Sequence, residues 1–163
     1  MRSLVLSRID YANSLLYGAK QFDLNRLQRL QNKAARLVFA CGRDQRSSRL
    51  IHTLHWLPVD ARIKYKILLY VFKSINNQAP RYLTNCLDMY NVSTTNNEGR
   101  RRLRSSSDVT RLAVPRTKKK QAGDISFHVC GPRLWNRLPV SIREAPSVSV
   151  FKRQLKTHLF PKC

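Results

Sequence analysis

The chain has 163 residues, and its 31 lysines and arginines outnumber its nine aspartates and glutamates to give a net charge of +22. A hydrophobic content of 42% supplies enough apolar material for a core, which excludes wholesale disorder. No stretch approaches the roughly 20 apolar residues of a membrane span, and the apolar run before Arg8 is too short for a signal peptide. We therefore expect an intracellular protein of the nucleus or cytoplasm whose partner is anionic. Nucleic acid is the first candidate and an anionic membrane surface is the second. Because the cations are spread along the whole chain instead of along one amphipathic helix, we predict no membrane partner.

The first strong helical pattern lies between residues 26 and 41. Its apolar positions follow a 3.6-residue repeat and predict one buried arc: Leu27, Leu30, Ala34, Leu37, Val38 and Cys41. Arg26, Arg29, Lys33 and Arg36 are spaced three, four and three residues apart and form a second stripe beside the first. Gly42 is a candidate left-handed stop. The stripe is either a solvated helix flank or, because four like charges in a row repel, the lining of a polyanion groove.

A second helix is predicted from Pro58 and Asp60, residue types that suit a first helical turn. Its apolar residues cover most of the circumference, as expected for a central core helix: Ile63, Ile67, Leu68, Val71, Phe72 and Ile75. The polar side narrows to a seam of three cations, Arg62, Lys66 and Lys73. A shorter helix is predicted to follow and to begin at Pro80.

Residues 91–122 form a predicted basic, flexible linker, since the segment begins with almost nothing to bury. Val109–Val114 alternates well enough to predict a short strand within it. Two basic runs in the linker are candidate phosphate contacts: Arg100, Arg101, Arg102, Arg104, Arg116, Lys118, Lys119 and Lys120. The same runs are also compatible with a nuclear-import signal or with a loop that only increases solubility.

The rest of the chain, residues 123–163, predicts a small cap. Ile125–Val129 is a candidate partner strand, although a helix also fits, and Pro132 predicts the first position of a helical turn. Val148, Phe151, Leu155 and Leu159 share one face of a last helix that Ser147 caps. The predicted fold is mostly α: a helical region over residues 1–90, the linker, and a small C-terminal α(+β) cap.

The sequence shows no catalytic constellation. Its acidic residues are scattered singly, and neither a phosphate-binding glycine loop nor a nucleophile elbow is present. His52 and His55 lack a third close ligand and the four cysteines form no CxxC pair, so we predict no metal site, no cofactor and no small-molecule substrate. Trp56 and Trp135 each precede a proline turn, and either anchor a chain reversal or stack on unpaired bases.

Eight segments, taken in order, resemble the region that follows the polymerase core in LINE-type (non-LTR, jockey-like) retrotransposon reverse transcriptases. They are Leu6–Gly18, Leu27–Leu37, Leu54–Val59, Arg62–Ile67, Leu103–Ser106, Val114–Arg116, Trp135–Pro139 and Phe151–Phe160. The resemblance extends over nearly the whole chain. It implies a C-terminal portion of an RNA-directed DNA polymerase polyprotein, with the endonuclease, fingers and palm upstream and the first helix as the end of the thumb.

The paired aspartates of the family's palm have no counterpart, because no Asp-Asp occurs in this chain. The resemblance therefore implies no catalytic residue here, and we do not expect the chain to be an enzyme by itself. Two hypotheses follow. In the first, the chain is an accessory module that grips RNA or an RNA–DNA duplex through its basic helix faces. In the second, it is a truncated, decayed remnant with only a structural role or no function, whose apolar surfaces once packed against the upstream polymerase domains.

Overall fold

In a computed structural model of the chain, residues 2–42, 44–87, 111–117 and 120–160 are described here. These residues are mostly α-helical and contain no β-strand, which confirms the predicted mostly-α class. Their helices are α1 Arg2–Asp10, α2 Gln21–Val38, α3 Ser47–Thr53, α4 Val59–Ile75, α5 Arg81–Thr84, α6 Lys120–Ile125, α7 Phe127–Asn136, α8 Val140–Arg143 and α9 Val148–Leu159, with a 3₁₀ turn at Asn13–Leu16. In the described ranges, no helix is both long enough and apolar enough to cross a lipid bilayer.

The chain divides into two compact units. The first contains residues 1–66 and 155–163, and the second contains residues 67–154. The predicted limit of the helical region at residue 90 lies outside the described residues. The division of the sequence into helical region, linker and cap stays a prediction.

The core of the first unit forms between α1, α2, α3 and the turn that leads into α4. Five buried residues make up its central cluster: Ala34, Ala35, Leu50, Ile51 and Trp56. Val5 and Leu6 of α1 pack against this cluster. Ala34 and Ala35 of α2 have small side chains, which leave room in this cluster for the large ring of Trp56.

The core of the second unit is aromatic. The rings of Phe72 and Phe151 stack with centroids 4.2 Å apart, and Trp135 lies 6.4 Å from the first and 5.9 Å from the second. Gly131 lies where a β-carbon would come within 3.0 Å of a methyl group of Val71, so α7 packs against α4 at a distance that only glycine permits without adjustment.

The predicted central and last helices are confirmed. Helix α4 begins directly after Pro58, and its predicted apolar residues from Ile63 to Phe72 are buried. Helix α9 begins after Ser147, whose hydroxyl oxygen accepts a hydrogen bond from the Val150 N–H at 3.3 Å. This bond satisfies one of the free N–H groups at the helix start.

The two candidate strands, one in the predicted linker and one in the predicted cap, do not form in the residues that the structure describes, and for Ile125–Val129 the helical alternative is confirmed. Within Val109–Val114, Leu112 pairs with a side chain: the amide of Asn136 accepts from the Leu112 N–H at 3.0 Å and donates to the Leu112 carbonyl at 2.8 Å. This one amide satisfies both backbone groups of Leu112, which a partner strand would have paired. Ile125–Val129, the candidate partner, forms the end of α6 and the start of α7. Pro132 lies inside α7, since that helix already begins at residue 127.

We expect Phe151→Ala to lower the free energy of unfolding by about 3–5 kcal/mol, because the ring is fully buried against two other aromatic rings. Urea denaturation followed by circular dichroism measures the change. Tyr82→Ala removes a 69% exposed ring from the same unit and should change the free energy by less than about 0.5 kcal/mol. A loss below about 1 kcal/mol for Phe151→Ala would contradict the aromatic core.

Candidate nucleic-acid interface

Two glutamines fix the side of α2 that faces the protein. Gln31 is fully buried, and its Nε2 donates a hydrogen bond to the Leu57 carbonyl at 2.8 Å. Gln28 Oε1 accepts from the N–H of Val59, the first residue of α4, at 2.9 Å, and Gln28 Nε2 donates to Gln31 Oε1 at 3.0 Å. The pair thus satisfies a free N–H at the start of α4 and a carbonyl in the preceding turn, which ties α2 to that turn.

The buried side of α2 differs from the predicted arc. Ala34 is buried as expected, but three other predicted positions are exposed: Leu30 at 56%, Leu37 at 66% and Val38 at 42%. The positions facing inward instead are Gln31 and Ala35. The physical reason is the hydrogen bonding of the two glutamines. A rotation of α2 that buried the two leucines would break the glutamine hydrogen bonds to the Leu57 carbonyl and the Val59 N–H, so the leucines stay exposed.

The structure brings Arg26, Arg29, Lys33 and Arg36, here called the basic row, onto the face of α2 that points away from the glutamines. Arg29 and Lys33 lie two residues on either side of Gln31, each about 200° around the helix from it. The side chains of Arg26, Arg29 and Lys33 are exposed, whereas Arg36 is half-buried and its Nε has no hydrogen-bond partner. Within the described ranges, none of the four forms an ion pair with a carboxylate.

Arg62 is placed differently from the basic row. Its guanidinium makes a bidentate ion pair with the Asp10 carboxylate: Nε donates to Oδ1 at 2.7 Å, and Nη2 donates to Oδ2. Asn13 donates to the same carboxylate at 3.3 Å. The side chain of Arg62 is only 16% exposed, and its charge is already paired with a carboxylate in a contact that links α1 to α4. Arg62 is therefore not part of the candidate nucleic-acid surface.

The remaining predicted contacts belong to other elements of the chain than α2. Lys66 and Lys73 are half-buried along α4, in the first and second unit respectively. Arg116 is exposed next to Thr117, whose hydroxyl donates to Asp124 Oδ1 at 3.0 Å, and Lys120 begins α6. The other predicted cations lie outside the described residues: Arg100, Arg101, Arg102, Arg104, Lys118 and Lys119.

Both tryptophans are buried, at 2% and 1% exposure, so Trp56 and Trp135 anchor the chain rather than offer rings to bases. The rings of His52 and His55 lie 4.9 and 6.1 Å from the ring of Phe160. No three histidine, cysteine or acidic side chains in the described part of the chain converge on a site that could hold a metal ion.

The cysteines with described positions are free thiols. Burial raises the pKa of the Cys130 thiol to about 11, and neighbouring backbone hydrogen bonds and Arg133 lower it only in part. At neutral pH this thiol therefore keeps its proton, and it is a packing residue of α7 rather than a nucleophile.

An aromatic residue that the sequence analysis did not single out continues the basic row. Phe22 precedes Arg26 by four residues, is 67% exposed, and has the Arg26 guanidinium carbon 5.8 Å from the centroid of its ring. The signal was available in the sequence, because the spacing of four, three, four and three residues runs unbroken from Phe22 to Arg36. The face therefore combines cations with a flat apolar ring.

Comparison of the chain with protein-family models, curated proteins and solved structures gives no match.

We expect Gln31→Ala to lower the free energy of unfolding by about 1–3 kcal/mol, because it leaves the buried Leu57 carbonyl without its donor. Thermal or urea unfolding measures the loss. Gln21→Ala is the matched control on the same helix, since that side chain is exposed and bonds only to Asn25 in the solvent-facing surface. Equal effects of the two substitutions would show that the buried amide does not hold α2 in place.

Proposed function

We propose that the chain is a non-catalytic nucleic-acid-binding module that holds the phosphate backbone of RNA or DNA along α2. One observation carries the proposal: Arg26, Arg29 and Lys33 of the basic row are exposed, and none of its four cations has an acidic partner within the described residues. Like charges three and four residues apart on a helix destabilise it, so this arrangement does not serve the folding of α2. A polyanion would relieve the repulsion and release its own counterions on binding.

The geometry of the basic row suits a polymer better than a compact anion. Successive cations are three or four residues apart, which corresponds to about 5 Å along the helix axis. Four charges are therefore drawn out over about 15 Å of one face, instead of converging on one point as they would around a single phosphate group. A linear array of this kind matches the repeated charges of a nucleic-acid backbone.

Two further features support the proposal without belonging to α2. The net charge of +22 is distributed along the whole sequence, and such an excess favours association with polyanions. The resemblance to the post-polymerase region of LINE-type reverse transcriptases implies a neighbour that handles RNA and DNA. By this resemblance, the chain would act beside an RNA-directed DNA polymerase and would bind the nucleic acid without catalysing a reaction.

A second candidate function is favoured by apolar side chains that the first unit leaves in water. Leu4 of α1 and Leu15 of the 3₁₀ turn are 69% and 81% exposed, and Leu30 and Leu37 lie beside the basic row. Exposed apolar surface of this kind is typical of a face that packs against another protein. In this alternative the unit has a structural role, and the upstream polymerase domains that the resemblance implies are the packing partner.

The first candidate predicts that neutralising the basic row reduces the salt dependence of binding. We expect Arg26→Gln, Arg29→Gln and Lys33→Gln together to lower the slope of log affinity against log salt by about two to three, because each lost phosphate contact contributes about 0.7 to 0.9. Fluorescence anisotropy with labelled RNA and DNA at several salt concentrations measures the slope. Arg36 is kept, since its partly buried side chain also contributes to packing.

The matched control removes three exposed arginines elsewhere, by Arg49→Gln, Arg81→Gln and Arg137→Gln. Both triple variants have the same net charge, so any difference between them reports position instead of total charge. If the two variants lower the slope equally, the chain binds only through its overall charge and the proposed surface on α2 is wrong.

The second candidate predicts that Leu4→Gln combined with Leu15→Gln reduces binding of Nile red, a neutral dye that fluoresces on exposed apolar surface, because the two substitutions remove apolar side chains of the proposed packing face. Fluorescence titration of the dye with the chain measures the affinity. Val140→Gln, an exposed aliphatic position of the second unit, is the control. If the double variant and the control bind the dye equally, the exposed leucines do not form a packing face.

A further inference from the structure

We propose that α2 binds unpaired nucleotides, with Phe22 as a platform on which a base stacks while the basic row holds the phosphates. The inference rests on the proposed function and specifies its substrate class as single-stranded RNA or DNA. Four features of the α2 face lead to it: the alignment of the ring, its exposure, its contact with Arg26, and the apolar surface beside the row.

The ring is aligned with the cations. A helix turns about 100° per residue, so the spacing of four, three, four and three residues keeps Phe22 and the basic row within one narrow face. The distance along the axis from Phe22 to Arg36 is about 21 Å. One end of this face therefore offers a flat ring, and the rest offers a line of positive charge.

The exposure of Phe22 is not explained by packing. The ring is 67% exposed on the side of α2 opposite Gln31, and the residues of the first unit's central cluster lie on the buried side. The ring contacts the guanidinium of Arg26, whose central carbon lies 5.8 Å from the ring centroid. Arginine side chains and aromatic rings are the two groups on which proteins stack unpaired bases.

An unpaired strand matches this face better than a duplex does. In a duplex the base faces are hidden inside the stack, and the surface presents phosphates, sugars and groove edges. A duplex would neutralise the cations but would leave Phe22, Leu30 and Leu37 facing water or phosphate. A single strand presents phosphates and base faces together, so both kinds of side chain on α2 gain a partner.

The decisive experiment separates the contribution of bases from that of phosphates. The full chain is titrated with an oligouridylate, with an abasic strand of equal length, with a duplex of equal length, and with poly-glutamate as a polyanion without phosphates or bases. We expect the oligouridylate to bind most tightly. The preference for it over the abasic strand should be about 5-fold to 150-fold, the range of one stacked base.

Phe22→Leu is expected to abolish that preference while leaving affinity for the abasic strand unchanged, since leucine keeps apolar bulk without a flat ring. Tyr82→Leu is the matched control, because that ring is equally exposed, at 69%, on a different helix. Phe22→Trp should restore the preference. The oligouridylate should quench the fluorescence of the new indole, and the abasic strand should not. Trp56 and Trp135 are buried, so their fluorescence should not respond to either strand.

The outcomes distinguish this inference from the proposed function. If Phe22→Leu binds the oligouridylate as the native chain does, while neutralising the basic row still flattens the salt slope, stacking is wrong and phosphate binding stands. Duplex binding equal to or tighter than single-strand binding also overturns the inference. If poly-glutamate binds as tightly as the strands at matched charge, the face fits an acidic protein surface and both proposals fail.

Discussion

The buried hydrogen bond from Gln31 to the Leu57 carbonyl determines which face of α2 meets solvent. Gln28 extends this contact by accepting from the first N–H of α4, so two side chains of one helix satisfy backbone groups of the next turn. A rotation that buried Leu30 and Leu37 would carry both glutamines away from the Leu57 carbonyl and the Val59 N–H and would leave these backbone groups without their partners, so the helix keeps the glutamines inside. The position of every other side chain on α2 follows from this rotation.

The outward face of α2 is consequently mixed, with cations and apolar groups side by side. Arg62 differs from the basic row, because it is paired with Asp10 and links α1 to α4. Within the described residues the chain thus uses some of its few acidic groups to fix helices, and the basic row receives none of them. An external polyanion would supply the missing counter-charge, and an unpaired strand would in addition cover the exposed ring of Phe22.

The sequence predicted the mostly-α class, the extent of α4 and the cap of α9, since each depends on local signals: an apolar run, a proline at a helix start, a serine N-cap. It failed where a single side chain makes a distant contact. The Asn136 amide pairs with Leu112, 24 residues away, in place of a strand. Gln31 reaches Leu57, 26 residues away, and reverses the expected burial of Leu30 and Leu37. The basic row was predictable from spacing, but its apolar neighbours were not, because hydrophobic periodicity assigns every leucine to the core.

The rotation of α2 is the central claim, and hydroxyl-radical footprinting of the full chain, read by mass spectrometry, tests it most directly. The account predicts that Leu30 and Leu37 are oxidised at the rate of an exposed leucine such as Leu15, that Phe22 is oxidised much faster than the buried Phe151, and that added oligouridylate protects Phe22 selectively. Burial of the leucines would give them the slow rate of Leu155, a fully buried residue. That result would place the leucines in the core, turn the glutamines outward, and contradict the surface on which both proposals depend.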